Sequence, residues 1–139
     1  MNLEERQQEI ISEFGMFDEW MQKYEYIIEL GKELPVIEEQ YKVEDNLIKG
    51  CQSKVWLHAE NNSDGTLSFT ADSDAIITKG LVSLVIRVLD GLPAKDIAQA
   101  DLHFVNDIGL TSHLSPTRSN GLASMIKQMK IYALIGSKL

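Results

Sequence analysis

The chain contains one cysteine, Cys51, in the run Asn46-Leu47-Ile48-Lys49-Gly50-Cys51-Gln52-Ser53-Lys54-Val55-Trp56. One thiol cannot close a disulfide within its own chain or build a cysteine-rich metal site. Chemistry at Cys51 is therefore that of one sulfur nucleophile, acting alone or with a partner protein. A free cysteine is often a small core residue. Here Gly50 precedes it, Gln52 and Ser53 follow it, and no apolar residue adjoins it. That setting reads as a polar loop tip, where functional groups are presented. A thiol attacks only as thiolate, and an unperturbed pKa of about 8.5 leaves little thiolate at neutral pH. Lys49, Lys54, His58, His113 and Arg118 could raise that fraction, and the sequence does not say which is near.

Two other residues stand out. Arg118 falls in the first turn of an expected helix, where the helix dipole disfavours a cation by roughly 0.3–1 kcal/mol. Such local conflicts are enriched at functional sites, although an arginine can also simply reach solvent or a carboxylate. Asp74 stands at the expected start of a helix, which it could cap with or without a second role. His58 is expected on the exposed face of a strand, and His103 has no distinctive setting. One cysteine and three scattered histidines make a poor zinc set, and an iron–sulfur cluster needs more thiolates than one chain offers. No metal site is expected. A Cys-His hydrolase with His113 as base is formally available, but nothing fixes an oxyanion hole. The chain has no glycine-rich phosphate loop or dinucleotide fingerprint.

The elements that must position these groups follow from periodicity. Leu3, Ile10, Ile11 and Phe14 share a helix face that Gly15 ends. Asp18 is the expected N-cap of a second helix, with Trp20, Met21, Tyr24, Ile27 and Ile28 on its stripe and Gly31 and Pro35 closing it. Val36 to Asp45 reads as a loop. Val55, Leu57 and Ala59 alternate with Lys54, Trp56, His58 and Glu60, the period of a half-buried strand. Asn61-Asn62-Ser63-Asp64-Gly65 is a turn signal, and Leu67, Phe69 and Ala71 mark the return strand. Leu47-Ile48 is expected to add a third strand. Asp72-Ser73-Asp74 is expected to cap a helix from about Ala75 to Asp90, apolar on most sides and so central. Gly80 inside it predicts a close approach by another element. A short helix is expected over Pro93–Ala100 and mixed structure from Asp101 to Leu114. Ser115-Pro116 opens a last helix, which buries Leu122, Met125, Ile126 and Met129. Clustered strands among helices argue for an α+β domain with helices packed on one sheet.

The whole chain sets outer bounds. Its 139 residues, 44% of them hydrophobic, fit one domain, 1–139, with one core. No apolar run approaches the ~20 residues of a membrane span, and the acidic start Met1-Asn2-Leu3-Glu4-Glu5-Arg6 is unlike a signal peptide. With an unpaired cysteine this favours a reducing cytoplasm. A formal net charge of −8 without a basic cluster argues against nucleic acid.

Four stretches, in order, resemble the SufE family of sulfur acceptors. They are Tyr24-Glu25-Tyr26-Ile27-Ile28-Glu29-Leu30-Gly31 with Leu34-Pro35, and Ile48-Lys49-Gly50-Cys51-Gln52-Ser53-Lys54-Val55-Trp56. They continue with Asp72-Ser73-Asp74-Ala75-Ile76-Ile77-Thr78-Lys79-Gly80-Leu81, and Leu110-Thr111-Ser112-His113-Leu114-Ser115-Pro116-Thr117-Arg118-Ser119-Asn120-Gly121-Leu122. The Gly-Cys-Gln-Ser-x-Val-Trp segment is the most specific. Lys54 departs from the commoner Gln and alters the charge beside the thiol.

The resemblance implies a three-stranded antiparallel sheet flanked by helices, a fold shared with IscU-type cluster scaffolds. It implies that Cys51 takes persulfide sulfur from a SufS-type cysteine desulfurase, stimulates that enzyme, and passes the sulfur to a cluster scaffold for iron–sulfur assembly. The pyridoxal phosphate belongs to the partner; this chain is a carrier, not an enzyme, and needs no cofactor beyond a transient persulfide. The resemblance also implies a sheltered apolar cavity for the acceptor cysteine, with Gly50, Gln52, Ser53, Asp74 and Arg118 as loop or partner support. A CsdE-type acceptor, serving a different desulfurase, fits the same residues. Homodimerisation through an apolar patch near the loop is allowed by the sequence and demanded by nothing in it. The rivals are an adaptor in which Cys51 is only structural, and the Cys-His hydrolase.

Overall fold

The computed structural model describes residues 1–136. Helix α1 (Leu3–Phe14) opens with a reciprocal cap: Asn2 accepts from the Glu5 N–H at 2.8 Å, and Glu5 accepts from the Asn2 N–H at 3.1 Å. Its expected stripe holds, with Ile10 and Phe14 buried and Gly15 at its end. Helix α2 (Trp20–Gly31) is capped one residue later than expected. Glu19, not Asp18, is the N-cap residue, and Gln22 Oε1 accepts from the N–H groups of both.

The hairpin forms where the alternation places it. Strands β1 (Val55–Asn61) and β2 (Leu67–Ser73) pair antiparallel from Val55↔Ser73 to Asn61↔Leu67. Val55, Leu57, Leu67, Phe69 and Ala71 are buried on one face, and Gly65 takes the positive φ of 86° that the turn requires. On the other face Lys42 lies over the Trp56 ring and Tyr41 stacks on His58 at 3.7 Å. His58 is thus half covered rather than simply exposed.

The expected third strand is not there. Leu47 makes one antiparallel bridge to Trp56, and the Ile48 N–H donates to the Val55 carbonyl at 2.8 Å, but the described sheet has two strands. A 3₁₀ turn over Glu44–Asn46 ends just before Leu47, and Gly50 turns the chain with φ 94° three residues later. Too little extended backbone remains between them to form a ladder. At the opposite edge Val36 bridges Ala71 in parallel, so part of the expected 36–45 loop borders the sheet.

Helix α3 (Ile76–Leu89) is central, with eleven of its fourteen residues buried. It packs on α2 through two glycines. A Cβ on Gly80 would collide with the Ile27 carbonyl oxygen, and one on Gly31 would lie 2.9 Å from the Gly80 nitrogen. The helix-interior glycine therefore does what the sequence suggests. Ser83 closes the same contact by donating to the Leu30 carbonyl at 3.0 Å. The expected cap of α3 is wrong: Asp72 and Ser73 end β2, Ala75 is the N-cap residue, and its side chain caps nothing.

Short helices α4 (Ala94–Ala98), α5 (Phe104–Asp107) and α6 (Leu110–His113) follow, then α7 (Pro116–Gly136). Ser115 caps α7, accepting from the Arg118 N–H at 3.3 Å, with Pro116 first in the helix. Leu122, Met125 and Met129 are buried as expected, while Ile126 is only partly so. α3 and α7 lie against the hairpin, and one core joins them to α1 and α2.

Candidate functional site

Cys51 lies in the loop between Ile48 and Val55, and both ends of that loop are fixed. Ile48 is buried and bonded to Val55. Beyond the thiol, the Lys54 N–H donates to Asp74 Oδ1 at 3.0 Å, and the Asp74 N–H returns to the Lys54 carbonyl at 3.3 Å. Asp74 thus holds the loop instead of capping α3. Gly50 sits against α7, where an added Cβ would meet Ser124 Oγ at 2.5 Å.

Between these anchors the thiol turns inward. Cys51 is half-buried, and its Sγ donates to the Gly121 carbonyl of α7 at 3.5 Å. It borders a cavity of about 100 Å³ between the first turns of α3 and α7, with Thr78, Leu81, Gly121 and Met125 in its wall. Burial pushes the Cys51 thiol up from its ordinary value. The apolar neighbours missing in sequence are supplied across space, so the loop-tip reading describes the backbone and not the resting thiol.

Gln52, Ser53 and Arg118 also line this cavity, with Arg118 exposed at its edge. The Arg118 guanidinium stands 5.9 Å from the Tyr24 ring centroid. Among the candidate activating residues, only Arg118 shares the cavity with Cys51. His113 is engaged elsewhere: its ring stacks on Trp20 at 4.7 Å, and its Nδ1 N–H donates to the Gly109 carbonyl at 2.9 Å. No histidine lines the cavity among the described residues, which leaves the hydrolase reading without a base. His103 ties Asp107 to Glu4, at 2.6 and 2.8 Å, on another part of the surface. Among the described residues no group of three or more His, Cys, Asp or Glu side chains is arranged so that it could hold a metal ion. No described helix is long and apolar enough to cross a membrane.

Thr78, Gly121 and Ser124 were not singled out from the sequence. Thr78 looks like a polar interruption of an apolar helix, and the Gly121 and Ser124 contacts run across about seventy residues of chain. The one available signal was that Gly121 interrupts α7 inside a motif.

Fold and site together define an α+β protein that carries one sheltered thiol on a tethered loop. The sequence pattern of the SufE family, an Fe-S metabolism associated domain, matches residues 8–133. An uncharacterised SufE-like protein of Rhizobium meliloti (strain 1021) is 44% identical over 126 residues, covering 88% of this chain and 90% of that one. A second, from Rhizobium etli, is 42% identical over 126 residues, covering 88% and 85%. The solution structure of a hypothetical protein from Thermus thermophilus superposes with a TM-score of 0.79 over 96% of this chain and 97% of that one; at 16% identity this is a likeness of fold. The chain belongs to the SufE family, which places it in iron–sulfur metabolism.

Proposed function

We propose that this protein is a sulfur carrier whose acceptor is Cys51, loaded by a SufS-type cysteine desulfurase and unloaded to an iron–sulfur cluster scaffold. In the loading step the Cys51 thiolate attacks the terminal sulfur of the enzyme's persulfide. The new Cys51 S–S bond forms as the enzyme's S–S bond breaks, and the enzyme's cysteine leaves as thiolate. No electrons are gained or lost overall. The product is a Cys51 persulfide, and the chain has no second cysteine to displace that sulfur as a disulfide.

The observation that carries this reading is the resting pose of Cys51. Its thiol is half-buried and hydrogen-bonded to a carbonyl, and burial pushes its pKa up from the ordinary value, which disfavours the thiolate. Such a thiol is protected until something draws the loop outward. The loop is built for that: it has no regular structure between its anchors, and its outer residues Lys49, Gly50, Gln52 and Lys54 are exposed. Arg118 and the exposed Ile76, on the first turns of α7 and α3, offer a partner a cation and an apolar contact beside the thiol. Stimulation of the enzyme follows from removing its persulfide and freeing its cysteine for another cycle. Cytoplasmic location fits a thiol that must stay unpaired.

The test is intact mass after incubation with L-cysteine and a purified desulfurase. Cys51 gains one sulfur, and Cys51→Ser abolishes both the gain and the stimulation. Full stimulation by Cys51→Ser would sink the proposal. Running SufS-type and CsdA-type desulfurases separately identifies the donor.

A further inference from the structure

We infer that the cavity beside Cys51 is a seat for the anionic terminal sulfur of a Cys51 persulfide, with the Thr78 hydroxyl and the free N–H groups of the first turn of α3 as its donors. This rests on the sulfur-carrier reading and adds to it the site that holds the cargo.

Thr78 is only 8% exposed, and it lines the cavity. Among the described residues its side chain has no hydrogen-bond partner. Yet no fully inaccessible side-chain polar atom among them lacks one. The Thr78 hydroxyl therefore borders accessible space, and the cavity is the space that Thr78 lines. A helical threonine commonly returns its hydroxyl to a carbonyl one turn back; this one is left available.

The helix start supplies the second set of donors. Ala75 cannot cap α3 through its side chain, and the first backbone bond of the helix runs from the Lys79 N–H to the Ala75 carbonyl at 2.9 Å. The N–H groups of Ile76, Ile77 and Thr78 come before that bond and have no acceptor among the described residues. Ala75, Ile77 and Thr78 all line the cavity. Free N–H groups at a helix start, with the dipole behind them, favour an anion. At about 100 Å³ the space admits a water-sized group such as one sulfur atom.

The charges match at both sulfur positions. Sγ faces the Gly121 carbonyl, an acceptor, which suits a thiol that keeps its proton. A hydropersulfide is a stronger acid than a thiol, so the loaded group carries its negative charge on the terminal sulfur. That charge lies one S–S bond beyond Sγ, beside a cavity whose lining brings together the Thr78 hydroxyl, the start of α3 and the Arg118 cation. One loop pose thus suits the empty carrier as a neutral thiol and the loaded carrier as a perthiolate.

The test loads the full chain with sodium polysulfide, without any desulfurase. The Cys51 thiolate attacks a polysulfide sulfur, one polysulfide S–S bond breaks, and the shortened polysulfide leaves as the dianion. After gel filtration, near-ultraviolet absorbance follows the perthiolate with pH, and intact mass follows loss of sulfur to cyanide. The wild-type perthiolate is expected to titrate at lower pH in the folded chain than in the urea-unfolded chain. Thr78→Val should raise that midpoint and lose sulfur on the order of tenfold faster, the effect of one hydrogen bond to a charged group. Thr78→Ser should restore wild-type behaviour. Equal titration in folded and unfolded wild type, a comparison that needs no variant, overturns the seat, as does Thr78→Val behaving like wild type. Failure of every desulfurase to load Cys51 would instead strike the carrier reading, because the polysulfide measurement does not involve one.

Discussion

Asp74 and Lys54 are joined twice: the Lys54 N–H donates to Asp74 Oδ1 at 3.0 Å, and the Asp74 N–H donates to the Lys54 carbonyl at 3.3 Å. This double link fixes the C-terminal end of the Cys51 loop to the chain entering α3. A carboxylate that looks like a helix cap in sequence serves as a tether. Because Asp74 is exposed, removing its side chain costs little global stability but loosens the loop.

Asp74→Ala should therefore lower stability by only about 0.5–1 kcal/mol, the usual worth of one exposed hydrogen bond. Its larger effect should be local, with iodoacetamide alkylation of Cys51 several-fold faster than in wild type. Unchanged alkylation would show that the Asp74 side chain does not restrain the loop.

Gly50 controls the other end. Its φ of 94° disfavours any L side chain by roughly 1–2 kcal/mol, and an added Cβ meets Ser124 Oγ at 2.5 Å. Gly50→Ala should push the loop off α7 and break the contact between Sγ and the Gly121 carbonyl. Cys51 alkylation is again the readout, and the rate should rise. Combining Gly50→Ala with Ser124→Gly relieves the collision but not the φ strain, so it should restore the rate only in part.

The buried thiol makes stability depend on alkaline pH. Burial raises the Cys51 pKa in the folded state, so above the ordinary thiol value of about 8.5 the unfolded chain releases a proton that the folded chain retains. The stabilisation is complete below the unfolded pKa and is lost as pH rises through the folded one. Urea melts across this range should show stability falling with pH, with a shallower fall in Cys51→Ala. An identical pH dependence in the variant would contradict the buried resting pose.

Gly80 is a test of packing far from the thiol. A methyl group there runs into the Ile27 carbonyl oxygen, which is backbone and cannot rotate aside. Gly80→Ala gains helix propensity of about 1 kcal/mol, yet the forced separation of α2 and α3 should outweigh it, because the collision is with backbone and puts the cost at the upper end of the roughly 1–3 kcal/mol of overpacking. Thermal melting should show a clear net loss; a rise in Tm would mean that α2 can slide at little cost.

Local pattern was enough to place most elements. Alternation at Val55, Leu57, Leu67, Phe69 and Ala71 located the hairpin, because a period of two sends side chains to one face whatever lies beyond. Ser115-Pro116 located the start of α7, because capping and a fixed φ act within one turn. The third strand failed for a related reason. Leu47 and Ile48 have strand character, but a ladder also needs extended backbone on either side, and the 3₁₀ turn and Gly50 remove it.

The amino-acid sequence by itself determined that this protein has one thiol, where that thiol stands relative to a strand, and which family motif surrounds it. Only the tertiary structure decided the state of that thiol. Gly121 lies seventy residues away in sequence and supplies the carbonyl that Sγ meets. Thr78 and Leu81 come from a helix that also packs on α2, and their cavity exists only once α3 and α7 lie against the hairpin. Burial, and with it the raised pKa, is a property of surfaces that meet on folding. The polar neighbours of Cys51 in sequence are its neighbours along the chain, while its chemistry is set by its neighbours in space.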